Sequence, residues 1–422
     1  MSTAPRIACV LHESPAVRPG GVELYVLALA RALGGLGFAV ECVLPLPLGP
    51  GQQAAPRTAM VQGVAFTAFP APLKPTFESR HADPELGAAL AAYLAGRGTD
   101  VVHVHQLIGF SGSVIPACKD AGLPVVMTVH DAWFACNQCH YVRWDGELCA
   151  EAPPGPDVCA RCLLERVPHV GRVYPLDELA GLMAGRARSL AGALGRADRL
   201  LANSRYTRRN LLRAGLPRDK VACAPLGVVG FAPLRRVERP AGAPLRVGCL
   251  GSLGRVKGQD ILVRAARLLP PGLAEIHIHG GSAGRDFARE LEPLLGTPGV
   301  VWHGTYGPAD LPRILAGLDV VVQPSRAESF GLTVREAFLA GVPVLAARIP
   351  ALEEAVAEGR GGLLFPPGDE AALAGLLERV AREPGLLAGL AASVPPVRTI
   401  GEDALYLARL YARLLEGRGG AE

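Results

Sequence analysis

The chain has 422 residues, half of them hydrophobic and 19% charged, with a formal net charge of +4. That length exceeds what one hydrophobic core ordinarily supports, so two domains are expected, and the composition excludes a disordered or fibrous chain. So small a net charge gives no pointer to nucleic acid, while a pI near 8.6 suits anionic ligands.

Short apolar runs alternate with helical patterns along most of the chain. RIACVL (6–11), FAVECVLP (38–45), VVHVH (101–105), PVVMTVH (124–130), DRLLANS (198–204) and KVACAP (220–225) predict strands. VELYVLALARAL (22–33), PELGAALAAYLAG (84–96) and SRYTRRNLLRAG (204–215) predict helices between them. A Pro- and Arg-rich stretch without period, 230–244, reads as a linker. Strands then resume at 245–251, 274–280, 299–304, 319–325, 343–347 and 361–365, with helical patterns at 259–269, 333–341, 369–383 and 402–415. The alternation predicts parallel sheets covered by helices: an α/β chain of two doubly wound Rossmann-like units. The expected division is 1–229, with an irregular insert at 131–175, then the linker, then 245–400. A terminal helix at 401–422 would cross back onto the first domain.

Only four of the 43 basic residues are lysines (Lys74, Lys119, Lys220, Lys257), which singles each of them out. The apolar run near the N-terminus is too short for a signal peptide, and no uninterrupted apolar stretch reaches the roughly 18 residues of a membrane span. A cytoplasmic protein is expected, its ten cysteines being thiols or metal ligands rather than disulfides.

The densest chemical signal is PSRAESFGLTVREAFLAGVPV, 324–344. A strand delivers a loop at its carboxyl end and a helix starts near Leu332. Amides around Gly331, Leu332 and Thr333 would then face a diphosphate. Glu328 in the loop and Glu336 one turn into the helix can accept hydrogen bonds from vicinal hydroxyls, although Thr333–Glu336 also reads as a capping box. A second element, CLGSLGRVKGQD (249–260), sets Lys257 in a Gly-rich turn, where a flexible point charge suits a leaving phosphate. Gly20-Gly21 precedes the first helix, and Thr128-Val-His130-Asp131 ends a strand.

The pattern PS-x2-ES-FG-x4-EA-x3-G-x-PV resembles the signature of glycosyltransferase family 4, the retaining enzymes of GT-B fold, and the likeness runs from residue 6 to about 395. The resemblance implies two facing Rossmann-like domains with a cleft between them, and a hexosyltransferase-type reaction from a nucleoside-diphosphate sugar to a glycan, glycolipid or small-molecule acceptor. It places Glu328 by the donor sugar, Glu336 on the ribose, Lys257 on the diphosphate and His130 on hydroxyls of the transferred sugar. Gly20, Gly21, Ser252, Arg255 and Phe330 join them around the donor. Two departures stand out. Ser252 occupies a position where many members carry Arg, with Arg255 as a substitute, and Val229 replaces a common Asp. Asn203-Ser204 and Pro225-Leu-Gly227 match further landmarks. No Asp-x-Asp motif is visible, so no catalytic metal is expected. A phosphorylase-like enzyme and a non-catalytic sugar-nucleotide-binding subunit are the rivals.

The insert holds five cysteines. Cys136-x2-Cys139 and Cys159-x2-Cys162 flank Cys149, which fits a structural zinc site at Cys136, Cys149, Cys159 and Cys162, with Cys139 the alternative to Cys149 and His140 a further candidate. Disulfides are the bland alternative. Arginines at 186, 188, 196, 199, 205, 208, 209 and 213 form either a solvated face or a weak attraction to anionic lipid, a peripheral contact with the inner membrane face.

Overall fold

The computed structural model describes residues 4–74, 76–149, 153–232, 234–281 and 285–419. The chain divides into two compact units, one of Met1–Trp144, Cys149–Gly227 and Arg398–Glu422, the other of Asp145–Leu148 and Val228–Val397.

In the first unit the strands are β1 (Arg6–Val10), β2 (Ala39–Leu48), β3 (Arg57–Val61), β4 (Val64–Pro72), β5 (Val101–Val104), β6 (Val125–Val129), β7 (Arg199–Ala202) and β8 (Val221–Cys223). They form one sheet in the order β3-β4-β2-β1-β5-β6-β7-β8, parallel except where β3 meets β4. Helices α1 (Gly21–Gly35), α2 (Pro84–Gly96), α3 (Val114–Asp120), α4 (Pro156–Arg166), α5 (Leu176–Gly195) and α6 (Arg205–Arg213) connect them. Every residue of β5 and β6 is buried, as continuous apolar runs must be when helices cover both faces. The β3–β4 hairpin is absent from the strand pattern read above. It turns on Gln62 and Gly63, both at positive φ, which is the backbone a two-residue hairpin needs.

The second unit repeats the plan. Its strands are β9 (Leu245–Leu250), β10 (Ala274–His279), β11 (Val300–Trp302), β12 (Val320–Gln323), β13 (Val344–Ala347), β14 (Ala357–Glu358) and β15 (Gly361–Phe365), in the order β11-β10-β9-β12-β13-β15-β14. The helices are α7 (Gln259–Arg267), α8 (Arg285–Leu295), α9 (Leu311–Ala316), α10 (Leu332–Leu339), α11 (Pro350–Glu353), α12 (Glu370–Arg382) and α13 (Pro384–Ala392). Each unit is thus Rossmann-like. In such sheets ligands gather beyond the carboxyl ends of the strands, where the strand order reverses. Those points are the ends of β1 and β5 in the first unit and of β9 and β12 in the second.

The last helix, α14 (Ile400–Gly419), packs along α1 within the first unit. Its anchor is Asp403, which is buried. One of its oxygens accepts from the Tyr25 hydroxyl and the Gly227 amide, each at 2.8 Å, and the other pairs with Arg398. Gly227 must be glycine, since a Cβ there would lie 2.3 Å from the Thr399 carbonyl oxygen. The insert, read above as irregular, contains α4, which starts on Pro156 after Gly155 and carries Cys159 and Cys162.

Candidate active site

Two clusters stand at the strand ends, one in each unit. In the second unit the chain after β9 turns at Lys257-Gly258 and comes to rest against the loop after β12. Gly258 has φ +72°, and a Cβ on it would meet the Pro324 carbonyl oxygen at 2.1 Å, so only glycine lets the two loops touch. The contact sets Lys257 Nζ 2.6 Å from Glu328 Oε1. The same oxygen accepts from Gln323 Nε2 at 3.1 Å and Ser325 Oγ at 3.0 Å. No hydrogen bond among the described residues reaches Oε2, which keeps its acceptor capacity. Behind the loop, Arg326 binds both oxygens of Asp260 on α7 at 2.8 and 2.9 Å. Burial pushes Asp260 up, but the bonds and charge of Arg326, with Arg264, hold it below the usual carboxylate range.

Gly331, at φ +76°, caps α10, and its carbonyl and that of Phe330 accept from Arg335, whose guanidinium lies 3.6 Å from the Phe330 ring centre. The cap is Gly331 and not Thr333, and no side chain caps this helix, so the capping-box reading of Glu336 falls. Glu336 forms no hydrogen bond or ion pair among the described residues. Burial alone raises it from the ordinary 4.5 to about 7. Its anion weighs on the neighbouring Tyr306, after β11, whose hydroxyl burial has already pushed up. Leu332 and Thr333 are half-buried at the start of α10. Ser252 is exposed, its carbonyl taken by Gln259. Arg255 points to α8, where Glu290 pairs with it. Among the described residues no side-chain bond joins Ser252 or Arg255 to the Lys257–Glu328 pair.

In the first unit, Gly20 caps α1 and Gly21 begins it. His12, just past β1, contacts Glu23 of α1 at 3.1 Å. His130, just past β6, receives a hydrogen bond on its carbonyl from Asn203. Its Nε2 lies 3.0 Å from Nδ1 of His105, which follows β5. The rings of His103, His105, His130 and Tyr25 pack in one buried stack, 4.1 to 6.1 Å between successive centres. Burial and the nearby His12 lower His130 to about 3, so it is neutral at physiological pH. Asp131 is raised to about 6 by burial and accepts from the Trp133 amide and Gln106.

In the second unit, a lysine-bearing turn beside two carboxylates with unused oxygens suits a hydroxylated anionic ligand. Comparison with known proteins decides the family. Residues 19–229 match the description Glycosyltransferase Family 4, and residues 244–383 match Glycosyl transferases group 1. The D-inositol 3-phosphate glycosyltransferase of Acidothermus cellulolyticus is 31% identical, across 92% of this chain and 85% of that one. Its namesake in Xylanimonas cellulosilytica is 30% identical, across 92% and 91%. The chain belongs to glycosyltransferase family 4. Among solved structures, this glycosyltransferase resembles sucrose-phosphate synthase from Thermosynechococcus elongatus, with TM-score 0.71, 20% identity, and coverage of 98% and 100%. Anabaena Alr3699/HepE in complex with UDP and glucose gives TM-score 0.67, 18% identity, and 97% and 100%. These likenesses give the fold, GT-B.

The insert of this glycosyltransferase separates its cysteines. Cys136 packs with Ala132 and Tyr141, against which Cys149 and Tyr206 also lie, whereas Cys139 packs on the main core of the first unit. Burial pushes the Cys159 thiol up to about 12, and Cys136, Cys149 and Cys162 add to the shift. His140 Nδ1 accepts from the Val142 amide. Among the described residues no disulfide forms, and no group of three or more His, Cys, Asp or Glu is arranged to hold a metal ion.

Sequence reasoning missed His12, His105, Tyr306 and the Arg326–Asp260 brace. His105 carried a signal, because the alternation in VVHVH sets His103 and His105 on one side of the strand. Tyr306 carried none.

Proposed function

We propose that this glycosyltransferase transfers a hexosyl group from a nucleoside-diphosphate sugar to a hydroxylated acceptor with retention at the anomeric carbon. The observation that carries the reading is the second unit's strand-end cluster, Lys257 clasped to Glu328 and Glu336 left unpaired one turn into α10. In the proposed complex Glu336 takes the ribose hydroxyls and Glu328 Oε2 a hydroxyl of the sugar. Lys257 and the start of α10 stabilise the diphosphate as it departs and gains charge. His130 binds hydroxyls of the sugar as a neutral imidazole. The UDP and glucose held by HepE make UDP-hexoses the first donors to test, and the relatives' name makes a cyclitol phosphate the first acceptor.

The test is a panel of nucleotide sugars measured by thermal shift and slow donor hydrolysis, with Glu336→Ala beside wild type. A donor that stabilises wild type and not the variant supports the reading, and an anomeric NMR signal of unchanged configuration in the product supports retention. Binding without transfer or hydrolysis would instead make the chain a non-catalytic subunit, and turnover that requires free phosphate would make it a phosphorylase.

Two further parts of the proposal concern surroundings. A structural zinc drawn to Cys136, Cys149, Cys159 and Cys162 rests on the cysteine spacing; their present arrangement is not a ligand set. Zinc content near one per chain, lost in Cys159→Ser, is the expected result, and metal-free folded protein refutes it. A contact with anionic membrane rests on a cavity of about 620 Å³ beside α6, lined by Arg205, Arg208, Arg209, Arg213 and Arg218 with no acidic residue. Among the described residues no helix is long and apolar enough to cross a membrane. Co-sedimentation with phosphatidylglycerol vesicles, weaker with phosphatidylcholine and lost in Arg209→Glu/Arg213→Glu, is expected; equal behaviour on both lipids overturns it.

A further inference from the structure

The buried histidines of the first unit pose a question of proton placement. His105 Nδ1 and His130 Nε2 are 3.0 Å apart, so one of them carries the hydrogen and the other the lone pair. His105 is 1% exposed, and its other nitrogen, Nε2, is sealed from solvent without a partner. His130 Nδ1 is different. It forms no hydrogen bond among the described residues, yet it is not one of the sealed atoms.

The two arrangements differ in what they strand. If His130 donated through Nε2, neutral His105 would carry its own hydrogen on Nε2, leaving an N–H donor buried with no acceptor. If His105 donates through Nδ1, its Nε2 keeps only a lone pair. An orphaned N–H is the rarer and costlier of the two in protein interiors. The second arrangement also settles His130. With a lone pair on Nε2, its hydrogen sits on Nδ1, the nitrogen left open.

Neighbouring groups lock the His105 ring. His103 stacks on it at 4.1 Å, with Tyr25 edge-on at 6.1 Å. His103 itself is tied at both nitrogens, to the Tyr411 hydroxyl of α14 and to Thr128 Oγ1 at 2.8 Å. Tilting the His105 ring would break this packing, and turning it over would lose its bond to His130, so its Nδ1 stays aimed at His130.

We propose that His105 is a positioning residue that holds His130 as the neutral Nδ1–H tautomer, so that His130 meets a sugar hydroxyl oxygen with an N–H donor. The functional half of this rests on His130 being a sugar contact, as read above. The free imidazole side chain favours the Nε2–H form, so the bond from His105 reverses an intrinsic preference. It also gives His130 one polarity toward the ligand: it seeks an oxygen lone pair and not a hydroxyl hydrogen.

The test is tautomer assignment by long-range 1H–15N correlation spectra of ¹⁵N-histidine-labelled full-length protein at pH 7.5, with His130→Phe identifying the relevant signals. Wild type is expected to show His130 as Nδ1–H. His105→Asp, whose carboxylate only accepts from the place of Nδ1, is expected to turn it to Nε2–H and to lower donor kcat/KM about tenfold, leaving affinity for the nucleoside diphosphate alone unchanged. His105→Asn, whose amide can donate from the place of Nδ1, is expected to restore both. An Nε2–H signal for His130 in wild type overturns the proposal without any variant, and so does an unchanged Nδ1–H signal in His105→Asp. If the tautomers behave as stated but His130→Ala transfers sugar at the wild-type rate, the sugar-contact reading fails and takes the functional half with it, while the positioning role stands.

Discussion

Replacing Glu336 by glutamine is expected to stabilise the ligand-free protein and to cripple donor binding. The carboxyl is lifted from 4.5 to about 7 by burial, with no cation or hydrogen bond among the described residues to offset it. A rise of about 2.5 units is a penalty of ~3 kcal/mol for holding the anion in the folded state. The sign follows from which form the fold prefers. A raised carboxyl favours folding in its protonated form, so that contribution is complete below about pH 4.5 and is lost as pH climbs through about 7. Glutamine stays neutral throughout. Urea unfolding of Glu336→Gln should therefore exceed wild type by about 1–3 kcal/mol at pH 8 and match it near pH 4.5. Calorimetry at pH 8 should show donor affinity falling about 10- to 100-fold, because charge-assisted bonds to two hydroxyls become ordinary ones. Wild-type affinity should itself weaken about fivefold from pH 7 to pH 6 once the carboxylate is the minority form. A variant no more stable than wild type at pH 8, or a gain that does not shrink with pH, refutes the reasoning.

Lys257→Ala should lower kcat by about 10²–10³ with a smaller change in donor KM, since its charge is needed most as the diphosphate leaves; initial rates across donor concentrations separate this from a pure binding loss. Gly258→Ala forces a Cβ to 2.1 Å from the Pro324 oxygen at φ +72°, so thermal melting should fall by several degrees and donor binding with it, although the added methyl touches no ligand. Asp403→Ala strands the Tyr25 hydroxyl, the Gly227 amide and Arg398, a loss of about 3–5 kcal/mol. Limited proteolysis should then cut ahead of α14, and wild-type resistance would count against the anchor.

What the sequence disclosed depended on whether the signal was local. Strand and helix alternation is a local pattern, so two doubly wound units, the loop after β12 and the start of α10 near Leu332 were legible. Lys257 was legible because lysine is scarce in this chain and a glycine follows it. The bond from Lys257 to Glu328, 71 residues away, required the Gly258–Pro324 approach, which no periodicity encodes. The β3–β4 hairpin escaped because Gln62 supplies a positive φ that glycine or asparagine usually advertises. Glu336 looked equally like a helix cap, and only the finding that Gly331 begins the helix removes that reading. His105 was visible as half of an alternating pair, but its bond to His130 joins two strand ends that the sheet order alone makes adjacent.

Comparing the acids of the second unit shows why the unpaired groups carry the function. Asp260 is held by Arg326 and Arg264, and Asp319 by Arg246 and Arg239. Both are closed circuits: removing the acid would strand arginines, and no lone pair is left facing outward for a ligand. Asp260 braces the loops that carry the site, and Asp319 ties together the starts of β9 and β12. Among the described residues Glu336 has no cation and no donor, and Glu328 spends one oxygen on Lys257, Gln323 and Ser325 while keeping the other. A fold selected only for stability would have paired Glu336 or replaced it with glutamine. The destabilisation it tolerates near neutral pH is relieved when hydroxyl donors arrive, so part of the donor's binding energy comes from a cost the apo fold already bears.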